Sequence, residues 1–528
     1  MKVFLMYKDR DFDPQAPLAP QTDALMQDFD VDILIKAMSA GDRFLYDISK
    51  SALFQSLMDE GTILYRQQVL DDSIRNEKIV RDIYALADEA VEAKRKNWFG
   101  VFGAYPGSIL HGAVRMLEAY LPMLERLRVI AREKQSVFRS EGFTRFFAMI
   151  QDELNDEYVR TVSQYLKDLR FDSGVMISAK LGEGNELTGH ALRKPNIKDK
   201  NWIRRILGPK TPSYAFSIDA RDEAGTRALG ELRDRGINFA ANALAQSADH
   251  VESFFRILKN EVGFYIACLN LREKLASIGE AVCFPVPSAP GSLTLEFSEL
   301  YNVCLSLISG KKSVGNDVCA NGKNLAIITG VNEGGKSTFL RSVGIAQLMM
   351  QAGMFVPASM FRADIHSGVF THYRRKEDRD MGSGKFDEEL KRMNTIVDQI
   401  KPHSLILFNE SFASTNEREG SEIARQIVSA LLESGAKVFF VTHLYTFAAQ
   451  LREKANKTTV MLRAERRQDG TRTFRIVEGA PSQRSHGEDL YYKVFGEEGS
   501  APTLVASEDD MEEPHAERIP AAAPGEDE

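Results

Sequence analysis

The sequence predicts an α/β domain on the C-terminal side of a mostly helical region that carries a small mixed insertion. Three observations predict it. Apolar residues recur at helical spacing through most of residues 1–285. Pro285, Pro287, Pro290 and Gly291 then break the chain. Beyond them, short apolar runs alternate with helical stretches, and the first clear pair is joined by a glycine-rich loop.

Between Ser108 and Val137, residues Leu110, Val114, Leu117, Leu121, Leu124 and Leu127 fall every three or four positions, which puts them on one helix face. A second helical stretch is expected from Glu141 to Phe171. A third, from Ile237 to Ile278, contains no proline and extends about 60 Å if continuous. Between them, residues 172–235 hold Gly, Pro and two β-like runs, Val175–Ser178 and Ser213–Ile218. Within that segment Arg193, Lys194, Lys198, Lys200, Arg204, Arg205 and Lys210 face only Asp199, with Trp202 among them. Such a run fits either a phosphate backbone, through counterion release, or a solvated basic face around a packed Trp. Lys194, Lys198, Lys200, Trp202, Arg204 and Arg205 are the expected DNA contacts.

After the proline break, Leu325–Thr329, Val369–Tyr373, Leu405–Phe408 and Lys437–Thr442 read as buried strands, mostly separated by helices. That alternation predicts a mainly parallel sheet. Thr458–Glu465 and Thr471–Val477 flank Asp469-Gly470 as a hairpin.

The chain has 528 residues, 43% hydrophobic and 27% charged, with a net charge of −8. These values exclude collagen-like and wholly disordered classes. No apolar stretch approaches a membrane span and no secretory pattern opens the chain, so a soluble, cytoplasmic protein with no membrane partner is expected. Gly496–Glu528 hold eleven acidic residues against Arg518 alone. That tail reads as disordered. Cys268, Cys283, Cys304 and Cys319 lack CxxC spacing and are expected to be buried, reduced thiols.

Chemistry concentrates at three strand ends. Gly330-Val331-Asn332-Glu333-Gly334-Gly335-Lys336-Ser337 fits GxxxxGK[ST] and is followed by Thr338. Its glycines let backbone N–H groups wrap phosphates, Lys336 is placed to neutralise them, and Ser337 to ligate Mg²⁺. Asn409-Glu410 ends an apolar strand, where Glu410 is placed to orient or deprotonate water. Asn409 stands where Asp normally supports the metal. Thr442-His443 ends a third strand. The bound species expected are ATP and Mg²⁺.

Together these residues resemble the MutS family of mismatch-repair ATPases, within the ABC-type class. Thr329 to Thr338 resembles TGPNxGGKST, with Val331 where Pro is usual. Gly353-Met354-Phe355-Val356-Pro357-Ala358 resembles G-x-x-V-P-A, Asn409 to Asn416 the DE-x-x-x-x-T block, and Thr442-His443 the TH strand end. The likeness is clear over 290–495 and looser upstream, at Tyr65 to Leu70 and the long helices. It implies an α/β P-loop, ABC-type ATPase domain at 286–495. Before it would lie a helical core and lever (1–171), a basic clamp-like segment (172–235) and a returning lever helix (236–285), and after it the tail at 496–528.

It further implies a homodimer with a composite site, hydrolysis that uses Glu410, Lys336 and His443, and DNA as partner. The family's trans-acting signature, S-[TR]-F-x-x-E, is blurred here. Gly384-Lys385-Phe386-Asp387-Glu388-Glu389 is the nearest match, with Ser383 one residue early, so either Ser383 or the Gly384 N–H is assigned to the partner's γ-phosphate. No counterpart of the family's Phe-x-Glu mismatch-reading domain is expected. Phe297-Ser298-Glu299 fits the string but reads as a strand, so no mismatch reading is expected. The competing reading is an ATP-gated clamp with little hydrolysis, motivated by Asn409 and the blurred signature.

Overall fold

The computed structural model describes residues 1–97, 105–171, 174–194, 214–219, 221–331, 333–375, 384–453, 457–467 and 471–481. The acidic tail, the turn of the final hairpin and most of the basic run lie outside them.

Among the described residues, eight α-helices form the first part: α1 (Thr22–Asp28), α2 (Val31–Ser39), α3 (Arg43–Phe54), α4 (Glu60–Arg75), α5 (Glu77–Asn97), α6 (Pro106–Lys134), α7 (Glu141–Glu153) and α8 (Asp156–Asp168). Their starts are written locally. Asp42 accepts the Phe44 and Leu45 amides, and Asp59 accepts that of Thr62, each relieving an orphan N–H of a first turn. On α6, five residues of the expected stripe are buried (Leu110, Val114, Leu117, Leu124 and Leu127) and Leu121 is half-buried. The single helix expected over Glu141–Phe171 is two. Asn155 takes the Tyr158 amide on its side chain and starts a new helix, a capping signal stronger than the continuing apolar period.

Two antiparallel strands follow, β1 (Met176–Leu181) and β2 (Leu187–Arg193). The run expected as a strand at Ser213–Ile218 forms none over its described residues. Helix α9 (Glu223–Ile278) begins fourteen residues before the expected Ile237 and has 56 residues, about 84 Å. Asp222 caps it and Gly279, at φ +82°, ends it. Residues 223–229 are mostly exposed, so no apolar stripe announces that start. Gly236 within α9 serves packing: a Cβ there would lie 2.4 Å from Ile177.

The α/β part runs β3 (Val286–Ser288), β4 (Leu295–Leu300), α10 (Val303–Ser309), β5 (Asn316–Cys319), β6 (Leu325–Thr329), α11 (Lys336–Gln351), β7 (Met360–Asp364), β8 (Val369–Tyr373), α12 (Lys385–Val397), β9 (Leu405–Asn409), α13 (Glu417–Glu433), β10 (Lys437–Val441), α14 (Tyr445–Glu453), β11 (Thr459–Arg466) and β12 (Arg472–Glu478). Among the described residues, six strands build the main sheet in the order β12-β11-β6-β10-β9-β8. Every neighbouring pair is parallel except β11–β12, matching the expected parallel sheet with a terminal hairpin.

Of a second sheet, β3-β7-β4-β5, the sequence reading has only the strand at Phe297-Ser298-Glu299. Phe297 lies in it, buried and stacked on Phe361, as expected of a strand residue. A hydrophobic core extends from Val3 to Ile476 through both parts, and a second cluster, around Ile406, Phe408 and Phe440, packs on the alternate strand positions of the main sheet. Cys268 and Cys304 are buried, but Cys283 is only partly so and Cys319 is exposed, because the outer face of β5 is open. No described helix is long and apolar enough to cross a membrane.

Candidate functional site

Register brings the three strand ends together. Val441 of β10 pairs with Ile328 of β6 on one side and with Asn409 of β9 on the other. The glycine loop, Thr442-His443 and Asn409-Glu410 therefore leave the sheet side by side at its C-terminal edge, where ligands of parallel α/β sheets bind. The Thr442 amide donates to Ile328 O, and the Glu410 amide to Val441 O.

The loop 330–335 is shaped by close approach. Gly330 sits at φ +114° with Ala464 against it, and a Cβ on Gly334 would come within 2.8 Å of Ala464 Cβ. Hairpin β11–β12 thus floors the loop. Gly335, at φ +93°, precedes α11 and no side chain caps that helix. The first-turn N–H groups and the positive helix end are open to an anion, which fits a polyphosphate.

Lys336 is buried, and its Nζ donates to Gly330 O and Val331 O, both at 2.8 Å. Burial pushes its pKa down to about 8, against the attraction of Glu410. Ser337 Oγ donates to Asn409 Oδ1 at 2.9 Å. A hydroxyl and an amide carbonyl side by side fit Mg²⁺, a hard cation that takes oxygen ligands, but supply no negative charge. Glu410 Oε1 lies 3.0 Å from His443 Nε2 with both side chains about one-third exposed. The hydrogen bond from His443 holds the Glu410 carboxyl below its usual range, against desolvation. Glu410 adopts φ +56°, a strain on the order of 1 kcal/mol for a non-glycine residue.

Val331 is buried and Glu333 exposed. The Thr338 carbonyl accepts from Asn302 and Ser342. Gly384 caps α12. Asn332 and Ser383 lie outside the described residues, as do Lys198, Lys200, Trp202, Arg204 and Arg205. Lys194 is exposed with its ammonium 5.8 Å from the Tyr165 ring centroid. Sequence reasoning missed Arg472, which pairs with Glu333 at 2.6 Å across 139 positions of chain. It also missed Phe474, whose backbone oxygen would be 3.2 Å from a Cβ on Gly335. Neither carries a local signal.

Comparison with known proteins matches residues 58–278 to the MutS2 N-terminal domain and residues 326–494 to MutS domain V. The chain belongs to the MutS family. Among its relatives, the DNA mismatch repair protein MutS of Thermotoga neapolitana is 34% identical over 178 residues, 33% of this chain and 22% of that protein. The MutS protein homolog 4 of Homo sapiens is 34% identical over 296 residues, covering 55% and 31%. The DNA mismatch repair protein MutS of Streptococcus gordonii is 27% identical over 293 residues, covering 52% and 34%. The MutS-family match thus spans from about a fifth to a third of those relatives' length, and domain V contains every strand-end residue described above.

A pH prediction follows from Lys336. In the folded, ligand-free chain its amine is charged below about pH 8 and neutral above, so polyphosphate loses a countercharge as pH rises. ATP affinity is expected to be flat from pH 6 to 7 and to fall about fivefold from pH 8 to 9. Equilibrium binding of a fluorescent ATP analogue measures it; constant affinity to pH 9.5 would contradict the assignment.

Proposed function

We propose that this MutS-family chain is an ABC-type ATPase that acts on DNA, hydrolysing ATP in a composite site between two copies of itself. The observation that carries the reading is the convergence of the glycine loop, Asn409-Glu410 and Thr442-His443 at one sheet edge, set by the β6-β10-β9 order.

In this reading the N–H groups of 330–338 and Lys336 hold the phosphates. Lys336 leaves the Gly330 and Val331 carbonyls for the phosphate oxygens as ATP enters. Ser337 and Asn409 hold Mg²⁺, which when bound neutralises charge on the phosphates. Glu410, kept ionised by His443, accepts a hydrogen bond from the attacking water and aligns it. His443 monitors the γ-phosphate beside it, and Ser383 or the Gly384 N–H reaches the partner copy's nucleotide. The role of the MutS relatives in DNA mismatch repair, the 56-residue α9 and the basic run at 193–210 support DNA as partner. Closure of the dimer would move the long helices around a duplex.

The test is phosphate release with Mg²⁺, alone and with duplex or branched DNA. Stimulation by DNA is expected; turnover indifferent to DNA removes DNA from the reading.

A second reading, a clamp gated by bound ATP with little hydrolysis, is favoured by the missing charge at Asn409. Tight ATP binding without phosphate release, with and without DNA, would establish it. Asn409→Asp tests the same position. Restoring a carboxylate beside Ser337 is expected to lower the Mg²⁺ concentration for half-maximal turnover by about tenfold. An unchanged Mg²⁺ titration would place the metal elsewhere.

A further inference from the structure

A buried polar knot lies behind Glu410. Glu389, on the second turn of α12, is 4% exposed, and both of its carboxylate oxygens are used. Oε2 accepts the Phe412 amide at 2.8 Å and Oε1 the Ser414 hydroxyl at 2.8 Å. The Glu389 backbone carbonyl faces His372 Nε2 at 3.0 Å, and His372 Nδ1 faces Ser411 Oγ at 2.7 Å. The Ser411 hydroxyl donates its one proton to the His372 backbone carbonyl, which ties the same turn to β8.

These partners bracket Glu410. Glu410 and Phe412 both adopt positive φ, +56° and +62°, conformations that persist only where surroundings over-determine them. Phe412 is held on three sides. Glu389 takes its N–H, its ring stacks on His372 at 5.2 Å, and its carbonyl would lie 2.4 Å from a Cβ on Gly420. The turn that follows Glu410 is thus tied to α12, the helix that Gly384 caps, while the Glu410 amide is held by Val441 O.

We infer that Glu389 is a positioning residue: through Phe412 and Ser414 it holds the 410–414 turn, and so couples the placement of α12 to the aim of the Glu410 carboxylate. The inference rests on the proposed role of Glu410 in hydrolysis. It makes the start of α12 and the water-facing carboxylate one mechanical unit, so a contact made at Gly384 is felt at Glu410. Glu389 itself touches no substrate.

The experiment compares Glu389→Ala, Glu389→Gln and Ser414→Ala in the full chain by steady-state ATP hydrolysis and hydrogen exchange. Glu389→Ala is expected to lower kcat at least about tenfold, as misaiming does, with KM within about twofold of the parent. Glu389→Gln recovers most of that loss, because its amide still accepts from Phe412 and donates to Ser414. Ser414→Ala gives a smaller drop. A folded Glu389→Ala with parental kcat overturns the inference, as does a Gln variant no better than Ala with KM raised in parallel.

Should the parent show no turnover above a Lys336→Ala blank, the hydrolysis reading fails on its own terms, and exchange decides the coupling. Glu389→Ala must then speed amide exchange across 410–416 while 336–351 stays protected. Unchanged exchange there overturns it.

Discussion

Glu410→Gln is expected to lower ATP turnover by about 10²–10³-fold while leaving ATP binding within a factor of about two. The substitution keeps size and one carbonyl acceptor but removes the charge that orients water. Glu410 is not a phosphate ligand in this account, so affinity should not follow turnover. The neighbouring His443 contact at 3.0 Å survives as a neutral hydrogen bond, and the strained backbone at 410 is held by Val441 and the 411–414 turn, not by the carboxylate. Phosphate release and equilibrium nucleotide binding, measured on the same preparation, check it. Parental turnover in a folded Gln variant would remove Glu410 from the chemistry. Loss of binding along with turnover would make it a binding group instead.

The largest effect on stability is expected at Arg66. Its guanidinium is fully buried where the helical part meets the back of α11. Nε donates to Met6 O at 2.9 Å and Nη1 to Ala352 O at 3.2 Å, and the Tyr7 ring centroid lies 4.5 Å away. Ala352 follows α11, so the cation also sits at the negative end of the glycine-loop helix. Gly353 adopts φ +77°, and a Cβ there would lie 2.6 Å from Arg66.

Next to it, Glu261 of α9 gathers the amides of Leu5, Met6 and Phe12. Arg66→Ala leaves two buried carbonyls unpaired and a cavity, a loss of about 2–4 kcal/mol. Arg66→Lys is expected to recover little, since an ammonium lacks the planar fork that spans both carbonyls. Denaturant unfolding measures both variants. A loss below about 1 kcal/mol for Ala would mean that the joint between helices and sheet does not depend on this side chain.

What was legible in the sequence was what is local. The glycine loop, its strand and its helix are contiguous, and each strand end announces itself by an apolar run that stops at polar residues. The parallel sheet followed from their alternation. Elements whose evidence is distant or polar were not legible. The start of α9 carries no apolar stripe, so its first fourteen residues read as part of the mixed segment before it. The second sheet pairs β3 with β7 across 76 positions, and short strands of that kind have no period long enough to register. Asn155 split an expected helix by capping.

At the site, Lys336, Ser337, Asn409, Glu410 and His443 were all named from the sequence, and the structure brings them to one edge. Glu389 stood in the expected signature string without any hint of its contacts, because Phe412 and Ser414 lie 23 and 25 positions away. The basic run shows the converse. Its charge is plain in the sequence, but only Arg193 and Lys194 of it fall among the described residues.

The most direct test of the central claim is Mg²⁺-dependent phosphate release from ATP by the full chain, beside Lys336→Ala prepared identically. The account predicts steady turnover that requires Mg²⁺ and disappears in Lys336→Ala. Turnover equal in both proteins, or absent from both, would contradict an ATPase built on the 330–338 loop.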